Sequence, residues 1–464
     1  MNSIIIKKIT DIVGSAFCTT KREDLHCYSF DGAAKIFLPE AVAFPESTAQ
    51  ISAIMRLASD YGFPVVPRGA GTGMTGGAVP VGGGLVLALS RMNRIVEIDA
   101  ENQIAIVEPG VITGDLQRAV RQYGLFYPPD PASLKFCTIG GNAAECAGGP
   151  SAVKYGVTKD FVIGLEVVLA SGEVLTAGTR TEKGVTGYDL TRLFIGSEGT
   201  LGIITRLTLR LLPLPEHKET FLITSTSLAR ATALVAKILN GNIRPCTLEY
   251  MDRTAIRVVA GMLSAPPPPT TEAMLLLEID GDRETVDRQA ARLKAFIADE
   301  PDCLCRQAAD QTEVNELWQA RRSISPATFN LSPHKISEDV AVPRTRIPDL
   351  VSFTEALSRE LALTILTFGH AGDGNIHVNI MLDKDKPDEL ARGEKARDRL
   401  FRHAIALGGT LSGEHGIGLS KAAFLPLELD ETTIRVMKGL KHLFDPQNIL
   451  NPGKIFPEKE EVNR

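Results

Sequence analysis

From about Ala41 to Leu214 the apolar positions come in short runs broken by glycine: FPVVPRG, GGLVLALS, RIVEIDA, QIAIVEPG, FVIGLEVVLASG and GIITRLTLRLLPLP. Runs of this length predict strands, and they are too short to alternate with helical crossovers, so a sheet-rich domain is expected. The proline-bearing LLPLPEHKE, Leu211 to Glu219, marks a boundary. Beyond it TFLITSTS, helical LARATALVAKIL, CTLEYMD, AMLLLEIDGD and helical TVDRQAARLKAFIADE alternate strand and helix, which predicts an α+β layer with helices on one face. APPPP, Ala265 to Pro269, reads as a rigid surface loop. A helix around Trp318 to Phe329, the strand EDVAVP and a helix near Pro348 to Leu361 follow, and a last helix, IRVMKGLKHLF, stops at Pro446 before an extended end. The expected division is 1–215, 216–425 and 426–464.

One strand-like stretch is interrupted by turn chemistry. In TFGHAGDGNIHVNIM, Thr367 to Met381, His370 and His377 lie seven residues apart, a spacing that sends them to opposite faces of a continuous strand. Gly372, Asp373, Gly374 and Asn375 favour a reversal, and a hairpin brings both imidazoles to one side. Downstream, LSGEHGIGLSK sets Glu414 and His415 between glycines that permit a sharply turned backbone. Two imidazoles and one carboxylate make a three-ligand shell with open positions, suited to a divalent metal such as Zn, with Mn, Fe or Co as alternatives. Histidine is the side chain best suited to proton transfer, so His415 is a candidate general base; Asp373 reads as a turn residue. Asn379 shares a strand face with His377 and could bond a substrate oxygen. Arg321 and Ser325, at i and i+4, share a helix face from which an arginine could grip a carboxylate; a surface arginine is the competing reading. Lys335 is a weaker substrate-binding candidate.

PRGAGTGMTGGAVP, Pro67 to Pro80, contains GxGxxG, but Pro80 and Gly82 to Gly84 are followed by a strand rather than a helix, which disfavours a nicotinamide-binding Rossmann loop. What remains is a loop nearly free of side chains, whose N–H groups can converge on a diphosphate. TIGGNAAECAGGPSAVKYG and GSEGTLGIIT are two more small-residue stretches, and three together suggest a long ligand such as FAD.

Composition narrows the partners. The 464 residues are 44% hydrophobic and 23% charged, with net charge −6 from 50 basic and 56 acidic side chains, so neither nucleic acid nor an anionic membrane is expected as principal partner. Seven cysteines without regular spacing, Cys303 and Cys305 included, suit a reducing cytoplasm and no disulfide or CxxC site. The N-terminus reads as an ordinary first helix or strand, not a signal peptide, and no apolar run reaches the length of a membrane span.

Six motifs, PRGAGTGMTGG, FCTIGGNAAECAGGP, SEGTLGIIT, GHAGDGNIHVN, SGEHGIG and DPQNILNPGKIF, resemble in order those of FAD-linked D-2-hydroxy-acid dehydrogenases, over roughly Lys35 to Phe456. That family includes D-lactate and D-2-hydroxyglutarate dehydrogenases and the flavin subunit of glycolate oxidase. The resemblance implies an α+β fold class: a PCMH-type (vanillyl-alcohol-oxidase) FAD-binding domain, a ferredoxin-like α+β substrate domain, and a C-terminal segment returning to the flavin. It implies that Pro67, Arg68, Gly69, Ala70, Gly71, Thr72, Gly73, Met74 and Thr75 cradle the diphosphate. Ser133, Thr138, Gly140, Gly141, Asn142, Gly148, Gly149, Tyr155, Gly156, Glu198, Gly202 and Ile203 would line the rest of the cofactor, with Asn451 closing over it. His370, His377 and Glu414 correspond to metal ligands, His415 to the base, and Arg321, Ser325 and Asn379 to substrate contacts. Ser325 stands where some members have Thr, and Lys335 lies farther from the DVAVP strand than the lysine some relatives use. GTGMTGG offers no His or Cys for a flavin linkage, so non-covalent FAD is expected.

The implied reaction is oxidation of a small D-2-hydroxy acid, D-lactate first, with glycolate and D-2-hydroxyglutarate as alternatives. Without a ferredoxin-type cysteine array, electrons are expected to leave to a quinone, a cytochrome, an electron-transfer flavoprotein or an iron–sulfur subunit. A cytoplasmic protein is expected, and peripheral attachment at the inner membrane face and a homodimer are compatible with this reading. Competing readings are a metal-dependent hydrolase without flavin, a non-redox transferase like alkyl-dihydroxyacetone-phosphate synthase, whose histidine pattern matches poorly, and a non-catalytic binding protein.

Overall fold

In the computed structural model, which describes residues 1–33 and 35–457, the chain forms two compact units. The first comprises Met1–Gly148, Val157–Leu214 and the chain from Glu414 onward; the second comprises Gly149–Gly156 and Pro215–Gly413.

The first unit opens with helix α1 (Ser3–Val13) and contains two main sheets. In one, the strands run β1 (Cys18–Thr19), β2 (Ala41–Ala43), β4 (Leu85–Ala88), β3 (Val65–Arg68). Here β2 and β3 both lie parallel to β4, joined through helix α2 (Thr48–Tyr61), so a helical crossover does occur where only short strands were expected. Its signals are local: the Ser47 hydroxyl accepts the Gln50 N–H, Gly62 ends it in the left-handed region, and Ile51, Ile54, Met55 and Ala58 form one buried stripe. The other sheet, ordered β5 (Ile95–Asp99), β6 (Ile104–Val107), β9 (Ile203–Arg210), β7 (Val162–Val168), β8 (Val174–Gly178), is wholly antiparallel.

The second unit is built on seven antiparallel strands: β10 (His217–Ser225), β11 (Thr247–Asp252), β12 (Ala273–Gly281), β13 (Cys303–Gln307), β14 (His334–Ala341), β15 (Thr364–His370) and β16 (Asn375–Leu382). Their order is β13-β10-β12-β11-β15-β16-β14. Every residue of β12 but the last is buried, so both sheet faces are covered, and the expectation of helices on one face is corrected. On one face Leu222, Met251, Met274, Leu276, Leu366 and Phe368 pack against Ala255, Ile256 and Val259 of α3 (Arg253–Val259) and Leu317, Ala320 and Ile324 of α4 (Gln311–Ala327). Each such aliphatic side chain removed from water contributes roughly 1.5–3 kcal/mol. Helix α4 starts seven residues before Trp318 because the Asp310 carboxylate caps the Glu313 N–H at 3.0 Å.

The chain leaves the second unit at Gly413 rather than at 425. The loop that follows is held in the first unit: Glu198 accepts the N–H groups of Ile417 and Gly418, and the Thr75 carbonyl accepts that of Leu419. The C-terminal segment then lies beside β3, with Leu450 bridged in parallel to Val65.

Candidate functional site

The hairpin forms as the turn residues require. His370 ends β15, Asn375 begins β16, and the register sets His370 opposite Asn375 and Phe368 opposite His377. Residues two apart on a strand share a face, so both imidazoles emerge on the same side. Their centroids lie 5.1 Å apart at 83°, and a ring nitrogen of each lies within 4.8 Å of one of the other. At Gly374, φ is +91° and a Cβ would strike the Val342 carbonyl, so the reversal admits only glycine. The Asp373 carboxylate accepts the Asn375 N–H at 3.2 Å, a turn contact.

The same face carries the remaining polar groups of this unit. Asp339 pairs with His377 across β14 and β16, and Ser337 with Asn379. Asn379 is fully buried; its Oδ1 accepts the Ser337 hydroxyl at 2.8 Å, while its Nδ2 has no hydrogen-bond partner among the described residues. Above this face, α4 presents Arg321 and Ser325. Arg321 is 7% exposed, so the surface-arginine reading does not hold. Its guanidinium lies over the Phe368 ring at 5.0 Å and reaches the Glu249 carboxylate at 2.6 Å. Lys335 donates to the Ser325 hydroxyl and carbonyl, each at 2.7 Å, and burial brings its amine down to about 8.

Glu249, on β11, is a residue that sequence reasoning missed. One oxygen pairs with Arg321 and the other accepts from His370 Nδ1 at 2.7 Å, with no part of the side chain exposed. Burial works to raise its pKa, yet Arg321 and His370 outweigh that and hold the carboxyl below its ordinary value. Its signal was an acid in CTLEYMD at a strand position flanked by Leu248 and Tyr250. Asp339 was missed likewise; it is buried and accepts the Gly413 N–H at 2.9 Å.

In the first unit, the loop after β3 folds around the buried Arg68, whose guanidinium donates to the Ala78 carbonyl at 3.3 Å and lies beside where a Cβ on Gly71 would be. Gly69 packs on Thr138, which caps Gly141 at 3.2 Å, while Gly140 abuts Pro109 and Gly202 abuts Val167. Asn142 is buried and donates to Thr113, and Ser133 caps its own turn through its carbonyl. Ile203 opens β9 in the core. Asn451 ties the returning segment to the carbonyls of Gly77 and Glu198 at 2.7 and 2.8 Å. Thr75 donates to the His415 carbonyl at 3.2 Å, and a Cβ on Gly148 would stand 3.0 Å from the Glu414 carboxylate. Three positions expected to line the cofactor, Gly149, Tyr155 and Gly156, group with the second unit instead, where the Tyr155 hydroxyl donates to Asp280 at 2.9 Å. Gly69, Gly77 and Gly416 let these loops pack closely on one another, because Cβ atoms there would collide with the Thr138 and Glu145 side chains.

Among these loops sits a carboxyl pair. A Cβ on Gly77 would lie 2.7 Å from Glu145 Oε1, and Oε2 has no hydrogen-bond partner among the described residues. Burial, then the Glu198 and Asp31 carboxyls, push Glu145 well above its ordinary value of 4.5. The folded state therefore retains a proton that the unfolded chain gives up, and this contribution to stability is lost as pH rises above 4.5. Glu145→Gln in the flavin-free protein is expected to gain in Tm over the parent protein as pH is raised from about 5 to about 8, read by thermal denaturation; a pH-independent gap contradicts the assignment.

Comparison with known proteins also divides the chain near Leu214. The family described as FAD linked oxidases, C-terminal domain, matches residues 214–455, and the FAD binding domain family matches 39–178. The chain is 46% identical to the glycolate oxidase subunit GlcD of Bacillus subtilis over 92% of each chain. It is 36% identical to the GlcD subunit of Escherichia coli K12, over 94% of this chain and 87% of that one, and 36% identical to the D-lactate dehydrogenase of Anaerostipes hadrus, over 90% and 89%. Among solved structures, p-cresol methylhydroxylase with substrate bound superposes with a TM-score of 0.79 at 18% identity, over 97% of this chain and 96% of that one, and so shares the fold. An alkyldihydroxyacetonephosphate synthase does so at 0.77 and 18% identity, over 97% and 86%. No described helix is long and apolar enough to cross a membrane. With a FAD-binding part, an oxidase C-terminal part and relatives matched over nine-tenths of its length, the chain belongs to the FAD-linked oxidase family and is an FAD-linked oxidoreductase of the group that includes glycolate oxidase subunit GlcD and D-lactate dehydrogenase.

Proposed function

We propose that this protein oxidises a small 2-hydroxy acid to the 2-oxo acid and passes the electrons to an acceptor other than oxygen. The observation that carries this is the polar face of the second unit's sheet, which carries a close histidine pair and an amide donor unsatisfied among the described residues, with a buried arginine above it. When bound, non-covalent FAD takes up the α-hydrogen with two electrons, and a divalent metal, zinc in the first instance, acidifies the α-hydroxyl. His370 and His377 would hold the metal with Glu414. The donor set suits zinc, and the Glu249 carboxylate on His370 Nδ1 puts the imidazole lone pair on Nε2, the atom a metal would take. Gly413, the residue before Glu414, is anchored to Asp339, the partner of His377 across the strands.

Arg321 would bind the substrate carboxylate with the N–H groups that Glu249 does not use, while Asn379 Nδ2 donates to a substrate oxygen. Ser325 and Lys335, bonded to each other, would bound the substrate's far end. His415 would accept the proton of the α-hydroxyl oxygen. Similarity to GlcD supports glycolate as the substrate, and similarity to D-lactate dehydrogenases supports D-lactate. The word subunit in the GlcD names favours a partner protein as electron acceptor.

A panel of glycolate, D-lactate, L-lactate and D-2-hydroxyglutarate with a dye acceptor tests this. Glycolate and D-lactate are expected to reduce the dye, with the rate falling at least about tenfold on chelation and returning with zinc. A rate indifferent to thorough metal removal argues against the metal assignment, and failure of all four acids argues against the substrate class.

A further inference from the structure

We infer that Glu249 is the positioning residue that locks the substrate-binding and metal-binding halves of the second unit into one arrangement. This rests on the reading of His370 as a metal ligand and Arg321 as a carboxylate clamp. The carboxylate is wholly buried and divided between two partners: Oε1 meets His370 Nδ1 at 2.7 Å and Oε2 meets the Arg321 guanidinium at 2.6 Å. A carboxylate can only accept, so His370 must present Nδ1 as N–H, which fixes the tautomer with the lone pair on Nε2. The same carboxylate stops the guanidinium from rotating about its long side chain, and Phe368 beneath it supports the plane at 5.0 Å. Phe368 also touches His377, with centroids 5.3 Å apart, so one ring and one acid brace both histidines and the arginine. Neither Glu249 nor Phe368 needs to contact substrate to act.

The test compares purified Glu249→Gln holoenzyme with the parent protein. Zinc affinity is read by competition with a chromogenic chelator, alongside KM and kcat. Zinc binding is expected to weaken about 10–100-fold and KM to rise, with FAD content unchanged. Since Glu249→Gln takes the counter-charge away from Arg321, the charge-neutral pair Glu249→Gln with Arg321→Gln is measured against Arg321→Gln alone. The pair is expected to bind zinc more weakly than the single Arg321 variant. Equal zinc affinity in both comparisons overturns the inference while leaving the metal reading intact. Should His370→Ala and His377→Ala bind zinc as the parent protein does, the metal reading itself fails, and the inference with it.

Discussion

His415→Ala is expected to retain bound flavin and to lose about 10²–10⁴-fold in the rate at which a 2-hydroxy acid bleaches it. The loss belongs to proton removal: an imidazole nitrogen can accept the α-hydroxyl proton, and an alanine offers no acceptor. Anaerobic stopped-flow at the flavin absorption band reads this step separately from electron exit. The backbone at this position is held by a contact the substitution preserves, since Thr75 bonds the His415 carbonyl rather than its ring. Loss of flavin together with loss of rate would point to a structural role, and bleaching at the parent rate would remove His415 from the chemistry.

Arg321→Met is expected to cost about 3–5 kcal/mol of stability in the second unit, because it strands the Glu249 carboxylate in the interior with His370 alone. Methionine fills much of the same volume, so the cost arises from the orphaned charge rather than from a cavity. Adding Glu249→Gln removes that charge and is expected to restore a large part of the loss. Urea unfolding of the two single variants and the pair gives the coupling directly. Additive effects would mean that the two side chains do not communicate. If Arg321→Met unfolds at the parent denaturant concentration, the ion pair contributes nothing.

What the sequence disclosed was chemistry carried by neighbours in the chain. The Gly372–Asn375 reversal was legible because glycine and Asp373 set the backbone locally, and the two imidazoles followed from strand periodicity. Arg321 and Ser325 shared a helix face as expected, but whether that face met solvent or a sheet depended on α4 packing across β11 and β15. Glu249 was illegible for the same reason: its histidine partner lies 121 residues away, and only the order of the strands brings them together. Helix α2 was overlooked because short apolar runs on either side suggested an unbroken series of strands, although Ser47 and Gly62 bracket it. The Glu145 and Glu198 pair had no local cue, since each acid sits among small residues suited to a ligand loop.

The parallel bridge between Val65 and Leu450 sets an order of events at the ribosome. The Val65 N–H waits for the Ile449 carbonyl, and the Asn451 N–H reaches back to the Val65 carbonyl, at 2.8 and 2.9 Å. The chain from Val65 through Asn451 must therefore be synthesised before the first unit's sheet acquires this neighbour, and the intervening Pro215–Gly413 segment emerges first. A chain cut before Ile449 therefore leaves the β3 edge without this neighbour.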